Sequence, residues 1–113
     1  MKEIKAIIQP FMLEKVLDAL AEYEPLPGIT ISHVQGWGKT RPPDAAQTTT
    51  VGGHAVAQKC KVEIVVTDDL APRVADLIAT AARTGNPGDG KVFLVDVLDV
   101  VKIRTGERGE SAL

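Results

Sequence analysis

At 113 residues the chain has the length of one domain with a single modest core. It is 44% hydrophobic and 25% charged, with a formal net charge of −2, one Trp and one Tyr. That balance argues against general nucleic-acid binding, which needs a cationic surface and rings for bases to stack on. No apolar run is long enough to cross a bilayer, no leader signature precedes the first strand pattern, and the single cysteine, Cys60, excludes an internal disulfide. A soluble cytoplasmic protein is expected.

Residues 2–8 carry the β-branched Ile4, Ile7 and Ile8 and read as a first strand. Pro10 then opens a helix at a position where its missing N–H has no partner to lose. Leu13, Val16, Leu17 and Leu20 form one apolar stripe on it, with Glu14, Lys15, Asp18 and Glu22 turned to water. Pro25, Pro27 and Gly28 stop the helix, and residues 29–34 alternate as a second strand. From Gly36 to about Ala57 periodicity disappears, and a loop of that length inside a compact domain is generally functional or disordered. Residues 59–66 resume as a third strand, on which Lys59, Lys61 and Glu63 share one face and Cys60, Val62 and Ile64 the other. The stretch 67–69 is expected to cap a second helix, with Pro72 in its first turn and Val74, Leu77, Ile78 and Ala81 as its buried stripe. Residues 91–101 read as a long last strand, 102–104 as its extension or a further short strand, and 105–113 as a polar tail.

The order β-α-β, long loop, β-α-β predicts an α+β, ferredoxin-like βαββαβ domain over residues 1–113: an antiparallel sheet with two helices on one face. The other sheet face then needs cover, which small domains often find by oligomerising.

Between the second helix and the last strand, residues 83–91 hold three glycines, Thr84, the carboxylate of Asp89 and the cations Arg83 and Lys91. Glycines let backbone N–H groups turn toward an anion where side chains would clash, and the cations neutralise it. A strand follows rather than a helix, so this is not a Walker-type loop. A helix stop and tight turn would use the same glycines, so the pattern alone leaves both readings open.

Taken together, residues 4–11, 36–38, 63–66, 81–93 and 103–113 resemble the PII signal-transduction family from end to end, with the long loop as the main departure. The resemblance implies a homotrimer with an adenine nucleotide (ATP, ADP or AMP) in each cleft between neighbours. It also implies a mobile T-loop, here about 39–58, that reports to a target transporter or enzyme, with recruitment to a membrane transporter as one outcome. Gly88, Asp89, Gly90 and Lys91 match the loop that wraps the phosphates, and Arg83 and Thr84 precede it. Lys102 and Arg104 match basic residues reaching the phosphates from the adjacent subunit; Arg is commoner at the first, and Lys lacks its bidentate geometry. Gly36, Trp37 and Gly38 match the loop base beside the adenine, and Thr30, Glu63 and Val65 match positions near adenine and ribose. Trp37 has a second reading, as a plug in the core beneath the loop, and Glu63 as a solvated strand residue.

Members that sense 2-oxoglutarate place a Lys where Lys59 stands, a Gln at the loop base and a basic residue before the first Pro-Phe. Here the last two are Thr40 and Gln9. The family's uridylylated Tyr falls at Gly52, which excludes that modification. The leading expectation is therefore a divergent sensor of adenine nucleotides whose second ligand is a small anion such as bicarbonate, held by Lys39, Thr40, Arg41 and Lys59 and tied to inorganic-carbon metabolism. The alternative is a nitrogen regulator sensing MgATP and 2-oxoglutarate. No nucleophile–base constellation or paired carboxylates are visible, so no enzyme, catalytic cofactor or resident metal is expected, and His54 reads as a solvated loop residue.

Overall fold

The computed structural model describes residues 1–23, 26–37 and 48–113, with Thr48 and Thr49 described by backbone alone. In chain order the elements are β1 (Lys2–Ile8), a 3-10 turn (Pro10–Met12), α1 (Leu13–Ala21), β2 (Thr30–Gly36), β3 (Thr48–Val51), β4 (His54–Val66), α2 (Ala71–Ala82) and β5 (Gly90–Asp96). The strands form one sheet in the order β2-β4-β1-β5, antiparallel at every step, with β3 paired to the first residues of β4. This is the ferredoxin-like arrangement expected from the order of elements.

Period-2 alternation decides which side chains meet the helices. Ile4, Ala6 and Ile8 of β1 and Cys60, Val62, Ile64 and Val66 of β4 point one way and are buried against Val16 and Leu20 of α1 and Val74 and Ile78 of α2. Cys60 is a core residue, and burial raises its thiol pKa. Fully burying each large aliphatic stabilises the fold by roughly 1.5–3 kcal/mol. Truncating a fully buried one such as Ile64 to Ala would cost about 2–5 kcal/mol. The odd-numbered residues, Glu3, Lys5 and Ile7 of β1 with Lys61, Glu63 and Val65 of β4, lie on the face away from the helices.

Several boundaries differ from the sequence expectation, each for a local reason. Part of the segment read as patternless is a hairpin: β3 and β4 meet across Gly52 and Gly53, whose φ of 56° and 82° are what a tight two-residue turn demands. β4 therefore starts at His54, five residues before Lys59. No side chain from 67–69 caps α2; its N-cap is Leu70, and the Thr67 carbonyl accepts from the Leu70 and Ala71 amides. Asp68 instead pairs with the Met1 amino group at 2.9 Å.

The last strand ends at Asp96, and residues 102–105 form a turn rather than a strand, closed by Gly106 N–H to the Lys102 carbonyl at 2.8 Å. The tail packs. Val101 bridges to Arg108, Arg108 pairs with Asp99 at 2.6 Å, and a 3-10 turn over Gly109–Ala112 buries Ala112. Among the described residues no helix is long and apolar enough to cross a membrane.

Candidate functional site

The glycine-rich connection leaves α2 at Arg83, where the backbone turns to φ −72°, ψ 128°, and reaches β5 through a loop that folds on itself. The Asp89 carboxylate accepts from the Thr84 hydroxyl, from the Thr84 amide at 2.8 Å and from the Gly85 amide at 2.9 Å, while Thr84 Oγ1 accepts from Asn86 N–H at 3.1 Å. These bonds, the Thr84 hydroxyl first, hold the Asp89 carboxyl below the usual carboxylate range. Asp89 is thus an internal clamp of the loop, its carboxylate accepting from three of the loop's own donors.

Gly88 and Gly90 have φ of 94° and 97°. A Cβ on Gly90 would stand 1.7 Å from the Ile7 carbonyl oxygen, so only glycine lets β5 begin this close to β1. Beside this passage opens a cavity of about 390 Å³ lined by Arg83, Asp89, Gly90 and Lys91, with Ile8, Ala79, Ala82 and Val92 as its apolar wall. The apolar wall was hidden in the sequence inside core-like stripes; only the register that pairs Ile8 with Gly90 brings it to the loop. The site therefore offers two cations, glycine-freed backbone and an apolar surface, the chemistry that a nucleoside phosphate calls for.

Lys59 reaches the same loop from β4. It is 9% exposed, its Nζ donates to the Gly88 carbonyl, and burial lowers its pKa while Asp89 opposes that shift. Gln9, just past β1, is 4% exposed, and its Oε1 has no hydrogen-bond partner among the described residues. Gly36 pairs with Ala57 near the same end of the sheet. Trp37 follows it, 63% exposed, and meets His54 edge-on with ring centroids 5.6 Å apart. Its exposure overturns the core-plug reading of Trp37, and His54 sits on a strand against that ring rather than in a bare loop. Gly38, Lys39, Thr40 and Arg41 lie outside the described residues.

A second group gathers elsewhere. Thr30 pairs with Glu63 across β2 and β4, and both line a cavity of about 280 Å³ with Gly28, Val65, Val100 and Leu113. Glu63 also lies 3.5 Å from the Lys61 ammonium. Glu63 is three residues along β4 from the Cys60–Ile8–Gly90 row, roughly 10 Å at strand rise. Lys102, 3.8 Å from Glu107, and the exposed Arg104 stand on the C-terminal turn that follows Val100. The structure thus brings together Arg83, Thr84, Gly88, Asp89, Gly90 and Lys91, and separately Thr30, Glu63 and Val65.

Residues 1–107 match the model of the family described as nitrogen regulatory protein P-II. The chain belongs to that family. It is 42% identical over 113 residues to a nitrogen regulatory protein P-II of Klebsiella oxytoca, each chain covered completely. It is 41% identical, again with complete coverage of both, to nitrogen regulatory protein P-II 1 of Escherichia coli K12. Among solved structures, that of Arabidopsis thaliana PII bound to citrate superposes with a TM-score of 0.81 at 37% identity, covering 99% of this chain and 91% of that one. P-II proteins are regulators that transduce signals, not enzymes.

Proposed function

We propose that this P-II chain is a cytoplasmic nitrogen regulator that binds adenine nucleotides, ATP or ADP, in clefts between the subunits of a homotrimer. Its T-loop would report their occupancy to a target enzyme or transporter. The observation that carries this reading is the loop from Arg83 to Lys91: three positive-φ glycines beside two cations and an apolar wall.

The division of the candidate residues into two clusters supports a site made from two copies. Gly88, Gly90 and Lys91 of one subunit would hold the phosphates. Thr30, Glu63 and Val65 of its neighbour would take the base and ribose, with Lys102 and Arg104 adding charge. Phe93, Leu94, Val95 and Val101 are each close to half exposed, and Leu98 and Ile103 almost wholly so, which is apolar surface suited to burial against another copy.

The relatives' names favour nitrogen regulation over the bicarbonate reading, which nothing in the comparisons supports. For the second effector a dicarboxylate such as 2-oxoglutarate fits best, because the structural neighbour holds citrate, a related polycarboxylate. Lys59 is the cation that would receive it, and magnesium would accompany the triphosphate. Gln9 supplies no second charge, so the effector would be held more weakly than where that position is basic.

Calorimetric titration with ATP, ADP and AMP, each with and without 2-oxoglutarate or bicarbonate, tests this directly. Nucleotide binding that tightens with 2-oxoglutarate supports the proposal. Tightening with bicarbonate alone would restore the carbon-linked reading.

A further inference from the structure

Lys59 is more buried than strand packing explains. It stands on the open face of β4, where Lys61 on the same face remains partly exposed, yet it is itself 9% exposed. A lysine there would ordinarily extend its stem and leave the ammonium in water. Here the ammonium turns inward, against a desolvation cost that lowers its pKa, and donates to the carbonyl of Gly88.

The geometry of the peptide gives that contact a consequence. A trans peptide is planar, with C=O and the following N–H on opposite sides. Fixing the Gly88 carbonyl toward Lys59 therefore aims the Asp89 N–H away from it, in a residue pair whose glycine would otherwise rotate freely. The loop is then tied at two points: from within by the Asp89 clamp on Thr84 and Gly85, and from outside by Lys59.

We propose that Lys59 is a positioning residue for the nucleotide: by holding the Gly88 carbonyl, it sets the orientation of the phosphate loop whether or not a second effector is present. This rests on the reading that Gly88, Gly90 and Lys91 receive the phosphates, and it gives Lys59 a task separate from contacting an effector.

The test uses the full chain and its Lys59→Met and Lys59→Arg variants, titrated with MgATP in the absence of any carboxylate effector. Amide hydrogen exchange and urea unfolding are followed alongside. Lys59→Met should weaken ATP binding by at least about tenfold, the scale of a lost charged hydrogen bond. It should speed exchange only within residues 84–90 and leave the urea midpoint unchanged or slightly raised, since a desolvated charge is gone. Lys59→Arg, still able to donate to the carbonyl, should recover part of the affinity.

Unchanged ATP affinity in Lys59→Met overturns the proposal. So does faster exchange across the whole sheet with a lowered midpoint, which would mark a merely structural role. If Lys59→Met does not fold, Lys59→Leu, which likewise lacks a donor, is read by the same criteria. Failure of the unmutated protein to bind ATP would overturn the underlying nucleotide reading, and shows itself before any variant is made.

Discussion

Replacing Gly90 with Ala probes the point where the glycine-rich loop passes closest to the sheet. The new Cβ would lie 1.7 Å from the Ile7 carbonyl oxygen and 2.7 Å from its carbon, on a residue with φ +97°. Neither obstacle is a flexible side chain, so relief requires β5 to move off β1 by more than an ångström at the Ile8–Gly90 pair. Overpacking of that kind costs about 1–3 kcal/mol. A weakened ladder hydrogen bond adds about 0.5–1.5 kcal/mol, and the positive φ about 1–2 kcal/mol. The total is about 2.5–6.5 kcal/mol, a large share of the stability of a small domain.

Gly85 is the internal control. Its φ is +90°, but among the described residues nothing lies within 4 Å of its would-be Cβ, so Gly85→Ala should cost only the backbone part, about 1–2 kcal/mol. Urea unfolding of the two variants, followed by circular dichroism, separates the effects. Gly90→Ala should lose at least twice the stability of Gly85→Ala. Equal losses would refute the close approach of β5 to β1.

Other expectations follow from the same geometry. Asp89 has a folded-state pKa below its unfolded one, so its clamp contributes fully above the ordinary carboxylate pKa and is lost as pH falls through the depressed value. In an NMR titration, the Thr84 and Gly85 amide signals should therefore shift at acidic pH in the unmutated chain and lose that titration in Asp89→Asn; identical curves would contradict the clamp. Arg104→Ala should weaken ATP binding by about tenfold, more so at low salt, with no change in the urea midpoint, because the residue is exposed. A loss of stability matching the loss of affinity would count against a direct role. Leu98→Asp with Ile103→Asp alters side chains that are 98% and 99% exposed, so the subunit fold should change by less than about 0.5 kcal/mol. Light scattering should nevertheless show mass shifting from three times the 12.0 kDa chain toward one; an unchanged mass would place the subunit contact elsewhere.

Much of the fold was legible because its signals are periodic. Leu13, Val16 and Leu20 of the helical stripe and the alternation around Cys60, Val62 and Ile64 each point to one face, and those faces form the core, while Leu17 of the same stripe stays outside it. The β3–β4 hairpin was legible too, yet passed over: a β-branched run at 49–51 followed by two glycines is a hairpin signature, obscured by polar threonines that resemble loop composition. The end of β5 was not legible, since Val97, Leu98, Val100 and Val101 continue the apolar pattern beyond the last paired residue, Asp96. Leu98 is almost wholly exposed and Val101 close to half, so apolarity there does not mark strand pairing; in the proposed trimer it would face another copy.

At the site, the glycines and cations announced themselves by type, but the roles of Asp89 and Lys59 depended on contacts that no spacing encodes. Asp89, placed in the phosphate-wrapping loop by resemblance, also ties that loop together from within. Lys59 looked like a strand residue awaiting an effector and is joined to a loop 29 residues further on.

The central claim is that the Arg83–Lys91 loop receives the phosphates of an adenine nucleotide in a cleft shared by two subunits. Calorimetric titration of the purified protein with MgATP, with the oligomer mass measured on the same sample, tests it most directly. The account predicts a trimer with saturable binding of one nucleotide per chain, weakened by Lys91→Ala on the loop and by Arg104→Ala on the C-terminal turn. A trimer that takes up no ATP, or binding indifferent to both substitutions, would contradict it.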